Sequence, residues 1–170
     1  MRKLLIALVF GLLSACAQTP DASVDGFRVI SPAEENAVRA RHVDAVNAFR
    51  AERGLQPLKL SARLTAAAKT HARDMSVQQR AWHFGSDGSS PPDRAARAGY
   101  AGVILGENIS ESFDSEIDLI QSWLSDPNTR SVMLNPRGTD IGFGWVQQTD
   151  GRLWWVQVVG RTDLLDTLSF

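Results

Sequence analysis

The sequence predicts an α+β fold in layers, and three observations carry that prediction. Helical periodicity dominates from Ser31 to Ser125. A hairpin of two alternating, aromatic-rich strands closes the chain around Thr149-Asp150-Gly151, a strong turn signal. Between them there is no regular alternation of strand and helix that would build a parallel sheet.

The elements follow in order. Ser31-Pro32-Ala33-Glu34 has the form of a capping box with proline at the first helical position. Val38, His42, Val46 and Phe49 then repeat at three to four, and Gly54 stops the helix. His42 on this face is expected to pack or to sit at the surface. Leu55 to Leu60 reads as an extended connector with inward leucines.

A second helix is expected from Ser61 to about Gln79, with Leu64, Ala67, Ala68, His71, Ala72 and Met75 on one face. His71 has two readings, a buried histidine bonded to the backbone or a neighbour of the site described below. Gly85 to Pro92 is a loop by composition, Asp93 to Ala98 a short helix ended by Gly99, and Val103-Ile104-Leu105 a buried strand. A third long helix runs from Ser115 to Ser125 with Ile117, Ile120, Trp123 and Leu124 inward, and Asp126-Pro127-Asn128 breaks it. The closing strands are Asp140 to Gln148 and Arg152 to Gly160, whose Phe143, Trp145, Trp154 and Trp155 read as a sheet-helix core rather than a carbohydrate platform.

Composition sets the limits. The 170 residues are 44% hydrophobic and 22% charged, which suits one domain with a full core. The formal charge of −1, with no local run of Lys and Arg, argues against nucleic acid as a partner.

The first residues read as an address. Arg2 and Lys3 form a basic start, Leu4 to Leu13 an apolar run of 10 residues, too short to span a bilayer, and Ser14-Ala15 a small-residue cleavage site. Cys16, the only cysteine, follows at once, and Leu13-Ser14-Ala15-Cys16 resembles the lipobox of bacterial lipoproteins. That resemblance implies cleavage after Ala15, a lipidated Cys16 and, with Ala at position 17, an outer-membrane anchor facing the periplasm. Taking Arg2 and Lys3 from the 18 basic residues leaves 16 against 19 acidic ones, a mature charge of −3. The expected organisation is a signal peptide over 1–15, the lipidated cysteine and a flexible tether over 16–30, the domain over 31–161 and a tail over 162–170.

The chemistry gathers in Trp82 to Ile109. His83 opens this stretch and Glu107 closes it, and a neutral imidazole with a carboxylate in one cleft can coordinate a cation or move a proton. A carboxylate at the end of an apolar strand is costly to bury unless paired, so the alternative for Glu107 is an ion pair with a structural arginine such as Arg94.

The ordered motifs AAAKTHARDM, HFGSDGSSPPDRAARAGY, GENI, a Trp followed by Arg and Leu, GFG and WWVQVVG resemble the CAP superfamily, whose members carry the SCP domain, over about residues 38–161. The resemblance implies a three-layer α-β-α sandwich around a central antiparallel sheet. It also implies a cleft lined by two histidines and one or two acids, which in some members holds zinc or another divalent ion. By position His83 is the first histidine and Glu107 the acid of the GEN motif. The second histidine falls in a segment resembling SPGHR, which here reads Asp126-Pro127-Asn128-Thr129-Arg130, so Thr129 stands in its place. Asp126, three residues after Trp123, matches the second acid of eukaryotic members. His83 and Glu107 alone would hold a divalent cation such as zinc weakly, and one histidine with two carboxylates would suit harder metals.

Function then divides into two main readings, beside a third of a purely structural envelope protein, since the family's fold tolerates loss of the site. The favoured one is a non-catalytic binding module, membrane-anchored, taking a lipid, peptide or other envelope ligand in a cleft of His83, Glu107, Asp126 and Thr129. It is favoured because the family set is incomplete and no nucleophile is placed beside a base. The alternative is a hydrolase of peptide or cell-wall bonds with His83 as base and Glu107 as its partner.

Overall fold

The computed structural model describes residues 23–24 and 27–162. Cys16, the signal peptide and the tail beyond Thr162 lie outside the described residues.

The element order is β1 (Ser23–Val24), β2 (Phe27–Arg28), α1 (Glu35–Ala51), β3 (Lys59–Leu60), α2 (Ala62–Gln78), α3 (Pro91–Arg97), β4 (Val103–Glu111), α4 (Glu116–Ser125), α5 (Pro127–Met133), β5 (Asp140–Gln147) and β6 (Leu153–Arg161). A four-stranded sheet in the order β3-β5-β6-β4 forms the middle layer. Its pairs are antiparallel except for the two-residue parallel pairing of β3 with β5. The sheet is therefore mixed, within the expected α-β-α arrangement.

Period-two alternation along β5 and β6 sends side chains to opposite layers. Phe143, Trp145, Trp155 and Val159 pack with Val38, Val46, Leu119 and Trp123 of α1 and α4. Trp154, Val156 and Val158 pack with Leu64, Ala68, Ala72 and Met75 of α2. The aromatics of the hairpin are thus core on both faces. The GFG motif has a steric cause: a Cβ at Gly142 would fall 2.2 Å from the Leu64 backbone, and one at Gly144 2.6 Å from the Lys69 backbone. Only glycine lets α2 cross β5 this closely, while Phe143 between them fills the opposite layer.

Several sequence expectations are corrected. Asp126-Pro127-Asn128 does not simply end a helix; it starts α5, with the Asp126 side chain accepting from the Asn128 N–H at 2.7 Å and proline in the first turn. Val103 is exposed, with Ile104 and Leu105 half-buried, because β4 is a sheet edge rather than an interior strand. Ile117 is exposed and Leu60 likewise. Packing also reaches upstream of Ser31: the Ile30 N–H donates to Gln147 Oε1 at 2.9 Å, and Gln147 donates back to the Arg28 carbonyl at 2.7 Å. The domain so includes residues 27–30 of the expected tether.

Helix ends follow the sequence closely. Ser61 caps α2 by accepting from the Leu64 N–H, and Ser90 with Asp93 forms a reciprocal capping box on α3. Glu34 bonds back to the Ser31 N–H at 2.9 Å, so half of the expected box exists, one turn ahead of α1.

Candidate functional site

Glu107 lies on the face of β4 that looks toward α2 and α3, two residues before Ile109, which packs in that layer. Its side chain is nearly inaccessible, at 2% exposure, so its charge requires partners. It has two. His83 Nδ1–H donates to Oε1 at 2.9 Å, and Arg94 Nη2 donates to Oε2 at 2.7 Å. The two readings of Glu107 are therefore both realised, one on each oxygen.

His83 is held by contrast at the surface, with its side chain 51% exposed. A carboxylate oxygen only accepts, so the Nδ1 contact places the ring proton on Nδ1 in the neutral imidazole. Nε2 then presents a lone pair outward, without a partner among the described residues. A carboxylate that orients an imidazole in this way is the positioning half of an acid-base pair.

The backbone beneath is clamped from the interior. His71, fully buried on α2, donates from Nε2 to the Trp82 carbonyl at 2.8 Å and stands 3.8 Å from Glu107 Oε1. Arg94 donates from Nη1 to the carbonyls of His83 at 3.1 Å and Ser89 at 2.8 Å. His71 so combines its two readings, a backbone-bonded core histidine and a neighbour of the site. Burial is the largest influence on its ring and lowers its pKa, the Glu107 charge opposing the shift and the Arg94 charge adding to it.

Asp126 and Thr129 are engaged elsewhere. Asp126 caps α5, as above. The Thr129 hydroxyl donates to the Trp123 carbonyl at 2.7 Å, and the Thr129 carbonyl accepts from Asn108 Nδ2 at 2.9 Å. Asn108 follows Glu107 on β4 and so faces the opposite layer, where it ties the edge strand to α5. Gly106 admits the same helix, since a Cβ there would fall 2.7 Å from a Val132 methyl.

The residues present do not fit a divalent cation. Both oxygens of Glu107 are committed, one of them to a guanidinium that repels a second cation, and Thr129 turns its hydroxyl back onto the chain. Among the described residues no three His, Cys, Asp or Glu side chains are placed to share an ion. Arg94 also lines a cavity of about 400 Å³ with Ala67, Thr70, Asp74, Ser89 and Arg97, and neither His83 nor Glu107 borders it. The imidazole works at an open surface.

Sequence reasoning named His83, Glu107 and Arg94 but missed Asn108 as the strut between the two layers. The alternation of β4 was the available signal, because one of two adjacent polar residues on an edge strand must face each side.

Known proteins place these features in a family. Residues 43–159 match the family described as the Cysteine-rich secretory protein family, CAP. The uncharacterized protein YkwD of Bacillus subtilis is 28% identical over 131 residues, which is 77% of this chain and 50% of that protein. The chain thus spans about half the length of this curated relative. Among solved structures, an outer surface protein of Borrelia burgdorferi superposes with a TM-score of 0.69 at 17% identity, covering 76% of this chain and 96% of that one. An extracellular SCP-domain protein of Bacillus anthracis gives 0.70 at 22% identity, covering 79% and 45%. With a family match across most of the domain, and solved SCP structures sharing its layered fold, this chain belongs to the CAP family.

Proposed function

We propose that this protein is a non-catalytic ligand-binding module of the bacterial envelope, anchored in the outer membrane by a lipid on Cys16 and facing the periplasm. The observation that supports binding is the state of His83: one ring nitrogen fixed on buried Glu107, the other offered to solvent with no partner among the described residues. Such an imidazole is a ready-made acceptor for a donor on a ligand, or a donor to an anion once protonated. The anchor rests on Leu13-Ser14-Ala15-Cys16 at the end of an apolar run.

The test is calorimetric titration of the protein beginning at Ala17 with palmitate, with envelope-derived peptides and with soluble wall fragments, alongside His83→Ala. Binding of one class that the variant loses is the expected result; binding that the variant retains refutes the assignment of His83 to the binding site. Replacing Cys16 by Ser should move the full-length product from the membrane fraction to the soluble periplasm, and unchanged fractionation removes the anchor.

One observation favours a second reading. The Glu107–His83 pair has the form of an oriented general base, so hydrolysis of peptide or wall bonds by an activated water is the alternative. It requires product release from casein or wall fragments that disappears in His83→Ala.

A further inference from the structure

α2 ends abruptly. Gln79 adopts a left-handed conformation, φ 53°, at a position where glycine or asparagine would be less strained. The chain turns back here, and the Arg80 guanidinium settles 3.8 Å above the Trp82 ring. Phe84 meets Trp82 at 5.9 Å with the ring planes 71° apart, so the two form a corner rather than a flat face. Both rings stand in solvent, Trp82 at 44% exposure and Phe84 at 49%.

Single exposed aromatics need no explanation. This pair differs because its backbone is pinned from inside, the Trp82 carbonyl by buried His71 and the His83 carbonyl by buried Arg94. Interior polar groups are spent on holding the segment in place while its aromatic side chains face water. Arg80, stacked on Trp82, has no carboxylate partner among the described residues.

We infer that the Trp82–Phe84 corner is a binding ledge for an acidic saccharide. The apolar C–H face of a pyranose ring packs in the aromatic corner, and a carboxylate carried by the sugar meets the guanidinium edge of Arg80. His83, the residue between the two aromatics in the chain, presents Nε2 to the remainder of the ligand. Charge separates this occupant from a bilayer. One carboxylate needs one cation, which Arg80 supplies, whereas an anionic lipid surface needs a basic field, and a chain of formal charge −1, with acidic Asp87 on the adjoining turn and Asp74 of α2 bonded to that turn, lacks one. The assignment rests on the reading that the His83 region binds an envelope ligand, and names its chemical class.

The experiment compares two disaccharides by calorimetry: N-acetylglucosamine linked to N-acetylmuramic acid, whose lactyl ether carries a carboxylate, and diacetylchitobiose, which has the ring pair without it. The acidic sugar should bind about tenfold more tightly, and Trp82→Ala should weaken both by about tenfold or more. Arg80→Gln should remove the preference, the acidic sugar falling to the affinity of the neutral one. Both residues are exposed, so thermal melts of the variants should match wild type. Equal affinities for the two sugars, or an unchanged affinity in Trp82→Ala, overturn the assignment. So does binding of phosphatidylethanolamine–phosphatidylglycerol vesicles that Trp82→Ala abolishes while neither sugar binds. If the sugars fail but palmitate or a peptide still binds in a manner lost with His83→Ala, the saccharide assignment falls alone. If the sugars bind through Trp82 and His83→Ala changes nothing, the aromatic ledge stands without its His83 contact, and the reading of His83 as a binding residue falls.

Discussion

The Nδ1 of His83 and the Oε1 of Glu107 stand 2.9 Å apart, although 24 positions separate them in the chain. One partner is exposed and the other almost wholly buried, so the contact joins solvent to the interior at a single hydrogen bond. Its consequence is directional: the ring can turn only one nitrogen outward. Glu107→Gln should preserve the shape of the site yet weaken whatever His83 binds, by about tenfold, since an amide orients the ring less strongly than a carboxylate. Nitrogen NMR of the His83 ring checks it. Wild type should carry the neutral-ring proton on Nδ1, and the variant should move it to Nε2, because the amide oxygen is kept by the Arg94 donor and its NH2 then donates to Nδ1.

Arg94 carries more of the stability than its place in a short helix suggests. Arg94→Met leaves the buried Glu107 carboxylate without its cation and frees the carbonyls of His83 and Ser89. The expected loss is about 3–5 kcal/mol by urea denaturation. Arg94→Met combined with Glu107→Leu should recover a good part of it, because the uncompensated charge is gone.

Acid should weaken the fold through two histidines. His42 is fully buried, stacked at 3.6 Å on Phe143, and burial holds its pKa down to about 4, against which its bond to Gln157 works only in part. His71 is lowered in the same direction. A histidine depressed in the folded state takes its proton first when unfolded, so its contribution is complete above the ordinary pKa of about 6.5 and fades as pH falls toward 4. For His42 this amounts to about 3 kcal/mol. His42→Gln should flatten the fall in urea midpoint between those values; an unaltered slope would show that His42 is already protonated in the fold.

Asp126 should behave as a cap. Asp126→Ala removes the acceptor for the Asn128 N–H and should cost about 1 kcal/mol, with ligand binding at His83 unchanged. A loss of binding without a loss of stability would return Asp126 to the site.

Zinc titration tests the misfit of the His83–Glu107 site to metal. The wild-type protein should show no calorimetric signal in the micromolar range, and Thr129→His should add little, because Arg94 and His83 still hold both oxygens of Glu107. Micromolar binding by Thr129→His alone would mean that this arrangement yields readily to a metal.

Local rules, written in residue type and spacing, decided much of this protein from its sequence. The helix at Ser61 and its apolar face, the Ser90–Asp93 cap, the Asp150-Gly151 turn and the aromatic strands all depend on interactions within a few positions, and such interactions are legible one segment at a time. His83 and Glu107 were identifiable as candidates by type and motif. Tertiary structure alone decided what they do. That Glu107 divides its oxygens between His83 and Arg94, that Val103 lies on an edge and that Trp82 and Phe84 face water all depend on which elements become neighbours. The physical reason is that burial and pairing are properties of the packed chain: a carboxylate or an indole has the same formula inside or out, and only the surfaces brought against it set its charge partners and its access to a ligand.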